Sequence, residues 1–218
     1  MIIQGNLCFF TYMLQFLLGF IVGKFIFDWV YIYKRETFLL QDESKDFQYQ
    51  IILQGFCGIL TVWLGYVWGL TPLFWMYSIL IWVSIAVSLY DLKDMIIPNE
   101  LTFFLIISGF LFALLIPELK LSSAFVGFLL GGGILLMLAL LSGGNGMGGG
   151  DIKYLAGIGS YVGGGLFPAF GVIQVLIYSL FMFMFIITPL LIFRKVSAKQ
   201  HVPFGPFLAI GTFLYCIL

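Results

Sequence analysis

SSAFVGFLLGGGILLMLALLSGGNGMGGGD, residues 122–151, is an uncharged apolar run that passes into a glycine tract and ends on a carboxylate. Its first part, 122–142, is long enough to cross the hydrocarbon core of a bilayer, which takes about 20 helical residues. It shows no alternation of apolar and polar positions, so it reads as a helix and not as a barrel strand. Seven more apolar runs flank it, at about 8–33, 50–70, 72–90, 100–116, 152–167, 169–193 and 204–218. Those at 100–116, 152–167 and 204–218 are short enough to be tilted, interfacial or re-entrant. The expected fold is an all-α, polytopic transmembrane helix bundle of about six to eight spans, because only helices or closed barrels satisfy the backbone in lipid.

Composition agrees. Of 218 residues, 62% are hydrophobic and 9% charged, with a mean hydropathy of +1.12. A soluble domain carries about 25% charged residues, so a soluble globular fold and a disordered chain are both excluded. Ten Lys and Arg balance ten Asp and Glu, which gives no basic excess for nucleic acid. Cys8, Cys57 and Cys216 are scattered through apolar runs, so they provide neither a disulfide framework nor a zinc site. The first run lacks the basic start and small-residue cleavage site of a signal peptide.

The polar connections fall at 34–49, 91–99, 143–151 and 194–203, and alternating passes place all four on one side. They hold Lys34, Arg35, Lys45, Lys93, Arg194, Lys195 and Lys199, with Lys153 just beyond the third, against Lys120 alone on the other side. This bias makes the four connections cytoplasmic, with the N-terminus outside. The expected organisation is an N-terminal transmembrane region with a short cytoplasmic loop, residues 1–70, followed by a helix bundle over residues 71–218.

Most of the acids read as solvated. Glu36, Asp42, Glu43 and Asp46 lie in one mixed-charge loop, and Glu118 adjoins Pro117 in an exterior turn. Lys24 and Asp28, four apart in the first span, can pair on one helix face. Two acids stand apart. Asp91 follows WVSIAVSLY at the end of the third span, and Asp151 opens the sixth. The third span runs inward and the sixth outward, so both carboxylates reach the same membrane boundary. Two carboxylates meeting in a low-dielectric site share a proton, which is the acid–base pairing of aspartic proteolysis. Anchoring of two helix ends is the other reading that parity leaves open.

The tract 143–150, GGNGMGGG, reads either as a flexible linker or as backbone that lines a wet, protein-enclosed cavity. A phosphate loop is a third idea, but the GxxxxGK[ST] spacing is missing.

GMGGGDIKYLAGIG, 146–159, resembles the GxGD signature of the type IV prepilin peptidases. YDLKDMIIPNELT, 90–102, is similar to that family's first aspartate motif, and VPFGPFLAIG, 202–211, to its last. The three occur in the family's order over about residues 75–218. The resemblance implies a GxGD aspartic protease architecture in which 71–218 is the catalytic bundle and Asp91 and Asp151 are the catalytic pair. Asp94, three residues after Asp91, is the rival and reads as a loop residue. Gly148, Gly149 and Gly150 would support the site. Lys153 would tune the pair, hold substrate or anchor the helix at the membrane. Pro98 would start the fourth helix, with Asn99 capping or orienting its first turn. His201, the sole His, has no partner ligands in the sequence, so neither a metal nor another cofactor is expected.

What the resemblance implies is a membrane endopeptidase of the plasma (inner) membrane with its active site facing the cytoplasm. Its substrates would be prepilin-like precursors from pilus, competence or type II secretion pathways, and its neighbours the bilayer and assembly components of those pathways. The N-terminal third departs from the family. The loop at 34–49 has no Cys, whereas many members carry zinc-binding Cys pairs there and also N-methylate their product. That departure speaks for a short, single-activity peptidase. An ion or solute transporter using intramembrane acids and an inactive assembly scaffold are the competing classes.

Overall fold

The computed structural model describes residues 2–32, 43–117, 119–143, 148–163, 170–192 and 202–218. Within them lie eight α-helices and no strand: α1 (Ile2–Ile32), α2 (Glu43–Trp68), α3 (Pro72–Asp94), α4 (Asn99–Leu115), α5 (Leu121–Leu141), α6 (Gly149–Val162), α7 (Phe170–Ile192) and α8 (Gly205–Ile217). The all-α polytopic expectation holds. Five segments are long and apolar enough to cross a membrane: Phe10–Val30, Asp46–Trp68, Pro72–Asp94, Leu121–Leu141 and Gly171–Ile192. Their outward faces carry large apolar side chains such as Leu140, Leu141, Phe181, Met184 and Phe185. Such a surface suits lipid and no aqueous phase.

Three boundaries differ from the reading of the sequence. Part of the polar stretch at 34–49 is helical, because α2 starts at Glu43. The apolar run at 152–167 gives a helix of only 14 residues that starts earlier, at Gly149. Helix α3 continues one turn past Tyr90 to Asp94. It stops where Met95 turns left-handed at φ 53°, a job done after α2 and α5 by Gly69 and Gly143.

The chain divides into two compact units, Met1–Trp82 and Val83–Leu218, and the division falls inside α3. In the first unit α1 and α2 pack closely. Gly19 and Gly23, a GxxxG pair on α1, rest on Cys57 and Gln54 of α2. Thr61 Oγ1 donates to Cys57 O at 2.8 Å and accepts from Trp82 Nε1 at 3.0 Å.

In the second unit α6 is the hub, packed by α4, α5, α7 and α8. Every residue from Tyr154 to Val162 is buried. The α5 contact is backbone on backbone: Gly127 lies on the Gly159 carbonyl, Gly131 on the Leu155 carbonyl and Gly163 on the Ser123 carbonyl. Ser123 Oγ also donates to Gly163 O. A Cβ added at Gly159 would sit 2.6 Å from the Gly127 carbonyl carbon. On α4 the contact is side chain on glycine: Leu105 packs on Gly157, and Ser160 packs on Gly109.

Replacing Gly159 by Leu therefore forces α5 and α6 apart. It should cost about 3 kcal/mol, as overpacking does, and should lower the melting temperature of the detergent-solubilised protein. Gly133→Ala, at a site with open space around it, should leave melting unchanged.

Candidate functional site

Asp91 lies one turn before the end of α3 and is 5% exposed. Its Oδ2 accepts a hydrogen bond of 2.7 Å from the Gly205 amide. Gly205 is the first residue of α8, whose leading amides have no partner inside their own helix. Asp91 thus takes up one of these amides at the positive end of that helix dipole. The contact needs glycine, since a Cβ at Gly205 would meet Asp91 Oδ2 at 2.8 Å and Asp91 Cβ at 3.1 Å.

Asp151 sits in the first turn of α6, ahead of the helix's buried stretch. The Gly148 amide donates to its carboxylate, the return half of a capping box in which the third helical residue reaches back to the N-cap. Oδ1 of Asp151 is buried and makes no hydrogen bond within the described residues. Burial pushes the Asp151 carboxyl up to about 6, and the Asp91 charge pushes in the same direction, against the Gly148 hydrogen bond. The two carboxylates therefore act on each other. The end of α3 and the start of α6 place them within electrostatic reach of each other, although 60 positions separate them in sequence.

The supporting residues fall around this pair in different ways. Gly150 packs on the loop after α3, where a Cβ would meet Ile97 Cβ at 2.9 Å, while Gly149 has open space around it. Gly148 is the N-cap of α6, and a Cβ there would meet Asp151 Oδ2 at 3.1 Å. Residues 144–147 of the glycine tract lie outside the described residues. Pro98 is the N-cap of α4 and not its first turn. Asn99 does not cap with its side chain; its Oδ1 accepts from Lys153 Nζ at 2.8 Å, tying the start of α4 to α6 at an exposed position. Asp94 ends α3, half-buried. Among the described residues no cluster of three His, Cys, Asp or Glu could hold a metal, and His201 lies outside them.

Two residues near the carboxylates received no role from the sequence. Gly205 stands in the VPFGPF segment, but only the fold brings that segment to Asp91. Tyr154 is wholly buried one helical turn after Asp151, and its three-residue spacing was the available signal. Chemically, the arrangement can hold one proton between two coupled carboxylates, with one buried Asp151 oxygen that has no hydrogen-bond partner among the described residues.

Comparison with known proteins adds identity. The chain is 36% identical over 137 residues to the prepilin leader peptidase/N-methyltransferase of Aeromonas hydrophila, covering 61% of this chain and 46% of that protein. It is 31% identical over 161 residues to the protein of the same name from Stutzerimonas stutzeri, covering 71% and 53%. It is 30% identical over 136 residues to the leader peptidase HopD of Escherichia coli, covering 61% and 85%. The chain thus spans about half the length of the first two and most of the third. No solved structure matches it. A model described as the type IV leader peptidase family matches residues 78–192, more than half of the sequence and both carboxylates, and the chain belongs to that family.

Proposed function

We propose that the protein is an aspartic endopeptidase that removes the leader peptide of type IV prepilin-like precursors, with Asp91 and Asp151 as its catalytic pair. The observation that carries this reading is the electrostatic coupling of a buried Asp91 and a half-buried Asp151 at helix ends in a chain of the leader peptidase family. Residues 71–218 hold the machinery in this proposal, and 1–70 form the N-terminal transmembrane region. The cation-rich connections face the cytoplasm of the plasma membrane, so the pair meets its substrate there.

In the reaction the pair starts with one proton. The ionised carboxylate takes a proton from water as the water oxygen bonds to the scissile carbonyl carbon. The protonated carboxyl gives its proton to the carbonyl oxygen. As the tetrahedral intermediate collapses and the C–N bond breaks, one of its hydroxyls returns a proton to the pair while the pair gives its other proton to the leaving amine, so one water is consumed and the pair regains its starting state. The substrate is a basic leader joined to an apolar helix. The helix lies in the bilayer and presents the junction at the membrane boundary where Asp91 and Asp151 sit. The proposal covers leader removal alone, not the methyl transfer in the names of the longer relatives.

Asp91→Asn and Asp151→Asn should each lower leader cleavage by about 100-fold or more. The side-chain carbonyl that Asp91→Asn introduces can still accept the Gly205 amide, so folding should survive, with melting within a few degrees of the parent. New N-termini read by mass spectrometry on a basic-leader precursor decide the matter, and full cleavage by either variant would sink the pair.

The pH profile gives a second check. With Asp91 ionised, Asp151 holds its proton up to about 6. The singly protonated, active pair is therefore lost as pH rises through that step and also as pH falls through the lower one. The profile of kcat/KM should be a bell whose alkaline limb lies near pH 6, and a flat profile from pH 5 to 9 would contradict it. Gly205→Ala should lower cleavage by roughly tenfold, because its Cβ displaces the Asp91 carboxylate from its amide donor. The same cleavage assay, at matched protein level in the membrane, measures this.

A further inference from the structure

Tyr154 lies three residues after Asp151, so the two side chains share a face of α6. Helical side chains tilt toward the N-terminus, and the Tyr154 ring therefore leans toward Asp151. The side chain is wholly buried, yet its hydroxyl closes no hydrogen bond within the described residues. It is turned toward Ser84, buried on α3 two turns before Asp91. The helices α3 and α6 thus present two layers: Asp91 with Asp151, and beneath them Ser84 with Tyr154. Tyr154 lies within electrostatic reach of both carboxylates.

An unpaired buried hydroxyl is destabilising, and Phe would pack the same ring without that cost. The layer above holds its complement, the buried and unpaired Oδ1 of Asp151. A donor without an acceptor and an acceptor without a donor lie one turn apart on one helix face. Hydrogen bonds of a catalytic site often close only once substrate is bound.

We propose that Tyr154 is a positioning residue of the carboxylate pair, its hydroxyl donating to Asp151 Oδ1 from inside the bundle while Ser84 supports the hydroxyl from α3. The hydrogen bond holds one oxygen of Asp151 inward and leaves the other to share the proton with Asp91. The inference rests on the aspartic reading above.

Other titratable groups on the elements around Tyr154 are placed elsewhere. On α3, Tyr90 is buried and adjoins Asp91 in sequence, Lys93 is exposed, and Asp94 is half-buried in the last turn. On α4, Glu100 is exposed, and α5 has no titratable residue. Tyr178 of α7 pairs with Gln174. On α8, Tyr215 donates to Val162 O, at the far end of α6, and Cys216 follows it. On α6 itself, Lys153 is exposed on Asn99 and Tyr161 pairs with Ser108. Asp91 and Asp151 are thus the groups that a change at Tyr154 should move.

Tyr154→Phe, Ser84→Ala and Asp151→Asn are compared with the parent on one basic-leader precursor across pH. Tyr154→Phe should lose about tenfold in kcat with KM held within about twofold. A hydrogen bond to the charged form favours it, so its loss should move the bell to higher pH by about half a unit. Ser84→Ala should shift the bell the same way with a smaller loss, and it tests the same contact should Tyr154→Phe fail to fold. Parental kcat and pH profile in Tyr154→Phe overturn the proposal, as does a loss of kcat with the bell unmoved, which is the signature of packing alone. Cleavage by Asp151→Asn instead brings down the aspartic reading itself.

Discussion

The backbone contact between α5 and α6 is the constraint on which the second unit depends. Gly127 and Gly159 touch through their main chains, and Gly131 and Gly163 extend the seam by one turn in each direction. In lipid there is no hydrophobic force to drive one apolar helix onto another, so association rests on close packing. Glycine on both sides gives the closest approach available. With α5 seated in this way, α4 and α7 close around α6, and nine consecutive residues of a 14-residue helix become buried. Because its stretch from Tyr154 to Val162 is enclosed by protein, α6 need not be long enough to span.

That enclosure fixes where Asp151 can be. The same helix that is locked at Gly159 begins two to three turns earlier with Gly149, Gly150 and Asp151. Gly150 lies against Ile97, and Ile97 belongs to the short connection that follows Asp91. A shift of α5 against α6 would therefore move one carboxylate relative to the other. A glycine contact with no chemistry of its own thus bears directly on the distance that any shared proton has to cross.

The sequence disclosed the helices well and their ends poorly. Apolar runs announce spans because lipid excludes other backbone solutions, and all eight runs contain a helix. Ends are set by local contacts that have no hydropathy. Met95 stops α3 by turning left-handed, a conformation that nothing in its side chain announces. Parity placed Asp91 and Asp151 at one boundary, since counting passes needs no detail. It was silent on Gly205, because the α8 contact joins positions 114 apart. Tyr154 looked like one more aromatic in an apolar helix until its hydroxyl was found without a partner.

The position of the carboxylates raises an electrostatic problem, and the two short helices solve it. Asp91 stands in the last turn of α3, the end at which the helix dipole is negative and a carboxylate is disfavoured. Burial adds to the cost of its charge. The Gly205 amide reverses the local field by presenting the positive end of α8 to the same oxygen. Asp151 is already at a favourable end, the first turn of α6, and takes the Gly148 amide besides. Each carboxylate is thus held by the leading amide or N-cap of a helix too short to cross the membrane, 14 residues for α6 and 13 for α8. A helix must begin inside the protein for its unpaired amides to be available there, and full-length spans begin at the surface. Short helices are therefore what allow these carboxylates to be held by backbone amides inside the protein. In a chain with only 9% charged residues, the backbone supplies the positive field.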